Sequence, residues 1–334
     1  CDAGAAEAQA VERRMSDAAR APEWRPEDWE LVEKLQEAPR NQGVVLLMRS
    51  LQHDGAFAAV KRMPNAWVTA SHAAFRKEHP RSSERPWFDI GLVRYLHDSG
   101  FEHICRPFGV FKDTVNTYVV SEFATEGDLF SWLPLEPVEG DRERLLVRPL
   151  MQQVFGAVRR LHDFGIAHND LSLENILITR KEPSGEPAVK LIDFGMASLA
   201  RWGHECSGKR LYAAPEQCLG GAHDSFLSDD FALGVCLFAF ATRKYPWNSS
   251  KPGGCKRFEY IATQGLRAYI ARKKVNAASE VRLAQVMSLD LVDVVEALLA
   301  MQPQDRACLG EGCFSDDVAS GARQCVEDMA WLAA

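Results

Sequence analysis

The sequence has nine cysteines among 334 residues but no CxxC pair, and its late pair, Cys308 and Cys313, has no histidine beside it. A zinc ribbon and a disulfide framework are therefore not expected, whereas free thiols in a reducing, intracellular compartment are. No signal peptide or membrane span stands out. The chain begins at Cys1 and not at Met, so it is expected to be part of a longer product whose targeting segments can be missing. Excess positive charge is lacking too. A formal net charge of -7 argues against nucleic acid or an anionic membrane surface as the main partner. The short basic run Arg272 to Lys274 reads as a solvated helix face. Internal repeats are absent, and no low-complexity tract occurs beyond the N-terminal alanines. What remains is an ordinary globular composition, 46% hydrophobic and 25% charged, in a chain long enough for two packed units sharing a cleft.

From Ala3 to Ala21 an alanine-rich stretch favours a solvent-exposed helix, ended by Pro22 and Pro26. Short apolar runs follow, "WELVEKL", "GVVLLMRSL" and "AFAAVKRM", with His53-Asp54-Gly55 as a hairpin signal before the last. "PWFDIGLVRYLHDSG" places Ile90, Val93, Leu96 and the Trp87/Phe88 pair on one helix face, with Gly100 as its stop. "CRPFGVF" and "TYVVSEF" close the sheet. After Gly127 long amphipathic helices take over, from "RPLMQQVFGAVRRLHDFG" to "VDVVEALLAM". The junction falls near Glu122 to Thr125. These runs divide the chain into an N-terminal helical extension at 1–25, a small antiparallel β-rich lobe at 26–122 and a larger, mainly helical lobe at 123–334, an α+β class.

Chemistry concentrates in four patterns. Lys61 ends "AAVK", which taken alone is an ordinary surface lysine. In "HNDLSLEN", Asp170 is placed to accept a hydroxyl proton and Asn175, five residues on, to hold a metal. "LIDFG" puts Asp193 after an apolar strand, and Gly195 permits the turn that aims a carboxylate at Mg²⁺. "AAPE" follows, Ala213 to Glu216.

In this order the four patterns resemble the eukaryotic protein kinases over roughly Trp29 to Arg306. The resemblance implies a two-lobed fold, ATP and Mg²⁺ as cofactors, and a protein substrate. Carried over by position, Lys61 binds the α and β phosphates, Asp170 is the base, and Asn175 and Asp193 hold Mg²⁺. His168 and Phe194 pack behind them. Val45 covers adenine, Glu122 and Ala124 form the hinge, Ser121 is a small gatekeeper leaving a deep pocket, and Asp128 meets ribose or a basic substrate side chain. Asp229 braces the catalytic-loop backbone, and Arg306 pairs with Glu216.

The departures are as informative. Ala38, Arg40 and Gly43 stand at the three glycine positions of the nucleotide loop, with Pro39 and Asn41 between, so the phosphate grip is expected to be weaker. Arg40 either contributes a cation there or faces solvent. Asp89 is the best-aligned acid for Lys61, one methylene short, with Glu84 and Glu78 as fallbacks. Asn169 replaces an arginine that reads loop phosphorylation, so a phosphate on Ser207 or Tyr212 has no evident partner and activity is expected not to need one. Ser172 replaces the γ-phosphate lysine, and Lys209 stands where a threonine usually touches that lysine. The expectation is that Lys209 restores the cation from the other side.

"VKRMPNAW", the lost glycine loop, Ser172, the small gatekeeper, and "PWNSS" with "RFEYI" look like the FIKK kinases of apicomplexan parasites, although "FAAVK" departs from their name-giving motif. That subgroup is often secreted or exported into a host cell, which bears on the intracellular expectation. "LSLEN" with Glu174 is nearer the Ser/Thr pattern than the tyrosine one. A tyrosine kinase, a pseudokinase scaffold and a small-molecule phosphotransferase stay open at this point. Substrate and oligomeric state are not legible.

Overall fold

The computed structural model describes residues 3–52, 55–135, 141–181, 183–276 and 279–333. The Asp-Gly hairpin signal involves His53 and Asp54, which lie outside the described residues. Contacts divide the chain into two compact units: Cys1–Glu126 with Ile178–Glu186 and Lys190–Ala197, and Gly127–Leu177 with Pro187–Val189 and Ser198–Ala334.

The first unit is built on an antiparallel sheet of β1 (Trp29–Ala38), β2 (Gly43–Ser50), β3 (Phe57–Pro64), β4 (Pro107–Lys112) and β5 (Asn116–Glu122), in the order β1-β2-β3-β5-β4. Alternation along β3 turns Ala58 and Val60 to the core and sets Lys61 between Val45 of β2 and Val119 of β5. Trp24, Leu46, Met48, Tyr118 and Val120 join them in one cluster. Trp24 stacks on Tyr118 with centroids 4.2 Å apart, a geometry that adds to the area buried. β1 is an edge strand with mostly exposed, charge-rich positions, which discourages pairing with another chain.

Pro86 opens the helix Pro86–Asp98, where its missing N–H costs nothing. Gly100, at φ +74, supplies the left-handed stop past its end. The helix Ala3–Ala19 differs from the expectation of a solvated leader. Val11, Met15 and Ala18, four and three residues apart, are buried and pack on the Pro86–Asp98 helix. Gly91 makes that approach possible, since a Cβ there would lie 2.4 Å from Met15 Cγ.

The second unit is mainly helical, with Arg148–Asp163, Ser225–Thr242, Lys256–Gln264, Leu266–Arg272 and Leu289–Leu298 as its longer described helices. Ser225–Thr242 is long and apolar enough to cross a membrane, yet 94% of it is buried inside the protein, as befits a core helix apolar all round. Asp224 caps its start, accepting the Phe226 N–H at 3.0 Å. Of the basic run only Arg272 lies on a helix, where it is exposed; Lys273 and Lys274 follow its end half-buried, and Lys274 pairs with Glu280 at 2.8 Å. Every cysteine among the described residues is free.

Candidate active site

In the first unit the charged centre is Lys61. Its Nζ lies 3.6 Å from Asp89 Oδ2 and 3.9 Å from Asp193 Oδ1. Burial alone would discharge this lysine, but Asp193, Asp89 and Glu84 around it raise its pKa. The other oxygen of Asp89 accepts the Phe194 N–H at 3.0 Å. One carboxylate in the first turn of the Pro86–Asp98 helix thus joins the β3 lysine to the Asp-Phe-Gly turn. Burial, before any charge effect, raises the Asp89 pKa, and Lys61 and the Phe194 N–H oppose it.

Among the three acids open from the sequence, Asp89 makes the ion pair. Glu78 is exposed. Glu84 is buried and accepts from Arg40 at 3.3 Å. Burial first, then the charge of Asp193, pushes Glu84 up to about 7. Arg40 is therefore tied to Glu84.

The loop that would carry glycines is a tight turn, Pro39–Asn41, followed by Gln42 in the left-handed region. Gly43 has a packing role: a Cβ there would lie 2.2 Å from the Arg62 carbonyl oxygen of β3. Val45 and Ser121 are half-buried on β2 and β5, and Ala124 is buried. The Glu122 carboxylate accepts the Arg106 N–H at 3.0 Å and faces Lys190 at 3.7 Å.

Asp193 sits at φ +65, a conformation that costs energy and that short polar side chains tolerate best. Its Oδ1 is buried without a hydrogen-bond partner. A hard, unsatisfied carboxylate oxygen fits Mg²⁺, which takes oxygen ligands. Phe194 is fully buried. Arg85, which the sequence reading missed, donates to the carbonyls of Gly195 and Ala197 and lies over the Phe88 ring at 4.2 Å. Only its place beside the helix start hinted at such a role.

In the second unit the catalytic loop is pinned from below. Leu171 and Leu173 are buried, and so is Ser172 between them. Asp229 accepts the N–H groups of His168 at 2.7 Å and Asn169 at 2.9 Å, the bracing role expected of it, and holds Asn169 at φ +63. Asp229 also faces His162 Nε2 at 3.2 Å, while Glu311 meets His162 Nδ1 at 2.7 Å. Burial would discharge His162, but these two hydrogen bonds prevail and hold it up at about 10. His168 is buried, its Nδ1 accepting the Asp170 N–H at 3.3 Å.

Asp170 is gripped on both oxygens. Oδ1 accepts the Lys209 N–H at 3.1 Å and Oδ2 the Asn175 amide at 3.3 Å, while the same amide nitrogen donates to the Asp170 carbonyl at 2.8 Å. With its nitrogen committed, Asn175 has its amide oxygen to offer a cation. Lys209 Nζ donates to Ser172 Oγ at 2.7 Å and to Glu174 at 3.1 Å. Burial opposes the Glu174 charge, but backbone hydrogen bonding and Lys209 outweigh it and lower the pKa. Gly208, at φ +78, leaves no room for a Cβ, which would lie 2.7 Å from the Asn169 carbonyl oxygen. Asp128 binds the Ser131 N–H at 2.7 Å, closing a local turn.

The segment after Lys209 is fastened by residues the sequence had marked only as a pattern. Trp247 Nε1 donates to the Leu211 carbonyl at 3.0 Å, and the Ser250 hydroxyl donates to the carbonyls of Arg210 and Ala213. Arg306 grips Glu216 through two contacts of 2.6 and 3.0 Å. Tyr212 is buried, its hydroxyl 2.8 Å from that of Tyr245. Asn169 donates its side-chain amide to Ser198 at 3.2 Å.

A sheet lysine salt-bridged to a helix carboxylate, a left-handed aspartate before Phe-Gly, and a braced Asp-Asn loop are the parts of a protein kinase. The chain belongs to the protein kinase domain family, which it matches over residues 49–316. Among curated proteins it is similar to serine/threonine-protein kinase SBK1 of Danio rerio, 36% identical over 185 residues that make up 54% of this chain and 46% of that protein. It is also similar to maternal embryonic leucine zipper kinase of Danio rerio, 31% identical over 47% of this chain and 23% of that protein. Serine/threonine-protein kinase ksp1 of Schizosaccharomyces pombe is 26% identical over 66% of this chain and 44% of that protein. The chain spans less than half the length of each.

Proposed function

We propose that the chain is a catalytically active serine/threonine-protein kinase that uses ATP with Mg²⁺ and acts on protein hydroxyls. The observation that carries this reading is the pairing of Lys61 with Asp89, whose second oxygen takes the Phe194 N–H. A lysine kept charged against burial is what binding to phosphates requires. In family terms Asp193 and Asn175 are the residues that would hold the metal, which would screen the charge of the phosphates when bound. Asp170 accepts the proton of the attacking hydroxyl, with its carboxylate oriented by Lys209 and Asn175. Lys61 orients the α and β phosphates, and Lys209 supplies the positive charge that Ser172 lacks.

Two finer parts of the proposal concern control and kinship. Asn169 is neutral and bonded to Ser198, and Tyr212 is buried against Tyr245, which supports activity without activation-segment phosphorylation; loss of turnover on phosphatase treatment would refute it. The FIKK-like subgroup assignment, with ATP held through a glycine-poor turn, rests on the sequence resemblance, in which the "PWNSS" residues Trp247 and Ser250 are the ones that fasten the segment after Lys209. The alternative of a binding scaffold is favoured by the Pro39–Asn41 turn with Arg40 tied to Glu84. Phosphate transfer from labelled ATP to a peptide library, with Asp170→Asn as control, tests the proposal. Transfer confined to the wild-type chain and to Ser/Thr acceptors is the expected outcome. Equal signal from the control, or none from either, defeats it.

A further inference from the structure

Two thiols with no part in the chemistry above bracket the segment that carries Lys209. Cys206 is exposed, Cys218 half-buried, and their sulfurs are 3.7 Å apart. A disulfide requires the sulfurs to close to about 2.05 Å, a shift within reach of side-chain rotation on an exposed stretch. The far end is anchored: Cys218 closes the turn Pro215–Cys218, held by Arg306 on Glu216 and by the Gln217 side chain on the Ala214 N–H at 2.9 Å. Nearer Cys206, Gly208 is pressed against the Asn169 carbonyl and Lys209 is bonded to Asp170. Burial first, then the hydrogen bond with Cys206, pushes the Cys218 thiol up to about 11, although Lys251 and Arg210 oppose it. That leaves the exposed Cys206 as the first to react.

We propose that Cys206 and Cys218 form a reversible disulfide that locks residues 206–218 in the arrangement placing Lys209 on Ser172, fixing the segment without a phosphate. The oxidant is a small disulfide such as oxidised glutathione. The Cys206 thiolate attacks one of its sulfurs and expels a glutathione thiolate. The Cys218 thiolate then attacks Cys206 Sγ and expels the second. Two protein thiols become one disulfide, one glutathione disulfide becomes two thiols, and the two protons pass to the departing thiolates. The functional half of this proposal rests on the kinase reading, but the bond itself does not.

The whole chain is equilibrated in glutathione buffers of graded oxidised-to-reduced ratio, alkylated and digested with trypsin, which cuts after Lys209 and Arg210 inside the loop. The expected result is joint loss of alkylation at both cysteines, peptides joined only through Cys206–Cys218, slower cutting of the native oxidised chain at those two sites, and undiminished phosphate transfer. Cys206→Ser and Cys218→Ser should remove the protection and leave transfer under reducing conditions unchanged. Glutathione retained on Cys206, or oxidation confined to Cys255, whose thiol backbone N–H groups bring down to about 7 against the effect of burial, overturns the proposal. So does a mapped bond that abolishes transfer. If the bond forms but neither redox state transfers phosphate, the kinase reading falls and the cross-link stands.

Discussion

The surroundings of Lys61 and those of Lys209 answer the same kind of loss in different ways. Around Lys61 the acid is one methylene short, and the helix is placed so that Asp89 still reaches the lysine while holding the Phe194 N–H. Around Lys209 distance is not what changed: the cation has moved to the partner strand of chain, and its ammonium reaches Ser172 from there. A missing methylene is absorbed by packing, whereas a missing charge has to be relocated. Substitutions that reverse each compensation separate the two.

The largest effect is expected at the proton acceptor. Asp170→Asn removes the proton acceptor but preserves shape, the Asn175 bond to the backbone carbonyl and one of the two hydrogen bonds the carboxylate accepts, so the fold should hold while turnover drops by about a hundredfold or more. Steady-state kinetics beside an unchanged melting curve check this. A variant with full turnover would mean that another group takes the proton.

Lys209→Ala comes next. Removing one positioned cation costs on the order of a hundredfold in kcat, and the loss should fall on kcat more than on the ATP KM. The sharper experiment returns the charge to its usual side. Ser172→Lys with Lys209→Thr should recover most of the loss, whereas Ser172→Lys alone sets two ammonium groups together and should not. Failure of the double variant to recover activity would show that a cation at 172 does not do the work of Lys209, whereas full turnover in Lys209→Ala would show that Lys209 serves Asp170 only through its backbone N–H, which every variant keeps.

The contrast between these two regions also explains what was legible in the sequence. Asp229, Glu216 and Arg306 each act through long-range partners, and the motifs around them pointed to those partners; Asp170 and Asn175 stand five apart in one motif and are hydrogen-bonded to each other. The strands were legible because short apolar runs stand between turn-forming residues, and the run in β3 buries Ala58, Val60 and Met63. The choice among Asp89, Glu84 and Glu78 was not, since it depends on the rotation and height of one helix, set by distant packing such as Gly91 against Met15. The same distance hid the burial of the Ala3–Ala19 helix: Val11, Met15 and Ala18 form too narrow a stripe among alanines to announce a partner. Arg85 and the Arg40–Glu84 tie join segments that no motif connects.

At Asp89 the expected effect is intermediate. Asp89→Ala leaves Lys61 and the Phe194 N–H without their shared partner, and breaking a largely buried pair costs about 3 kcal/mol; thermal unfolding and turnover should both suffer. Asp89→Glu is the more telling variant. It installs the residue most kinases carry, yet the added methylene has to fit a helix placed for aspartate, so activity should fall and not rise. An Asp89→Glu chain more active than wild type would show that the short acid is a defect and not a fitted part.

The smallest effect is a pH dependence at Glu84. Burial and the charge of Asp193 raise its pKa from 4.5 to about 7, so between those values the folded chain binds a proton that the unfolded chain has released. The stability this confers is complete below the unfolded value and is lost as pH rises through the folded one. Glu84→Gln mimics the protonated form at every pH. Its melting temperature should match that of wild type below about 4.5, exceed it progressively as pH rises from there to about 7, and keep a constant lead of a few degrees at most above that. The common contribution of His162 cancels, because both chains carry it. A difference independent of pH would mean that Glu84 is ionised throughout and that the tie to Arg40, not burial, governs it.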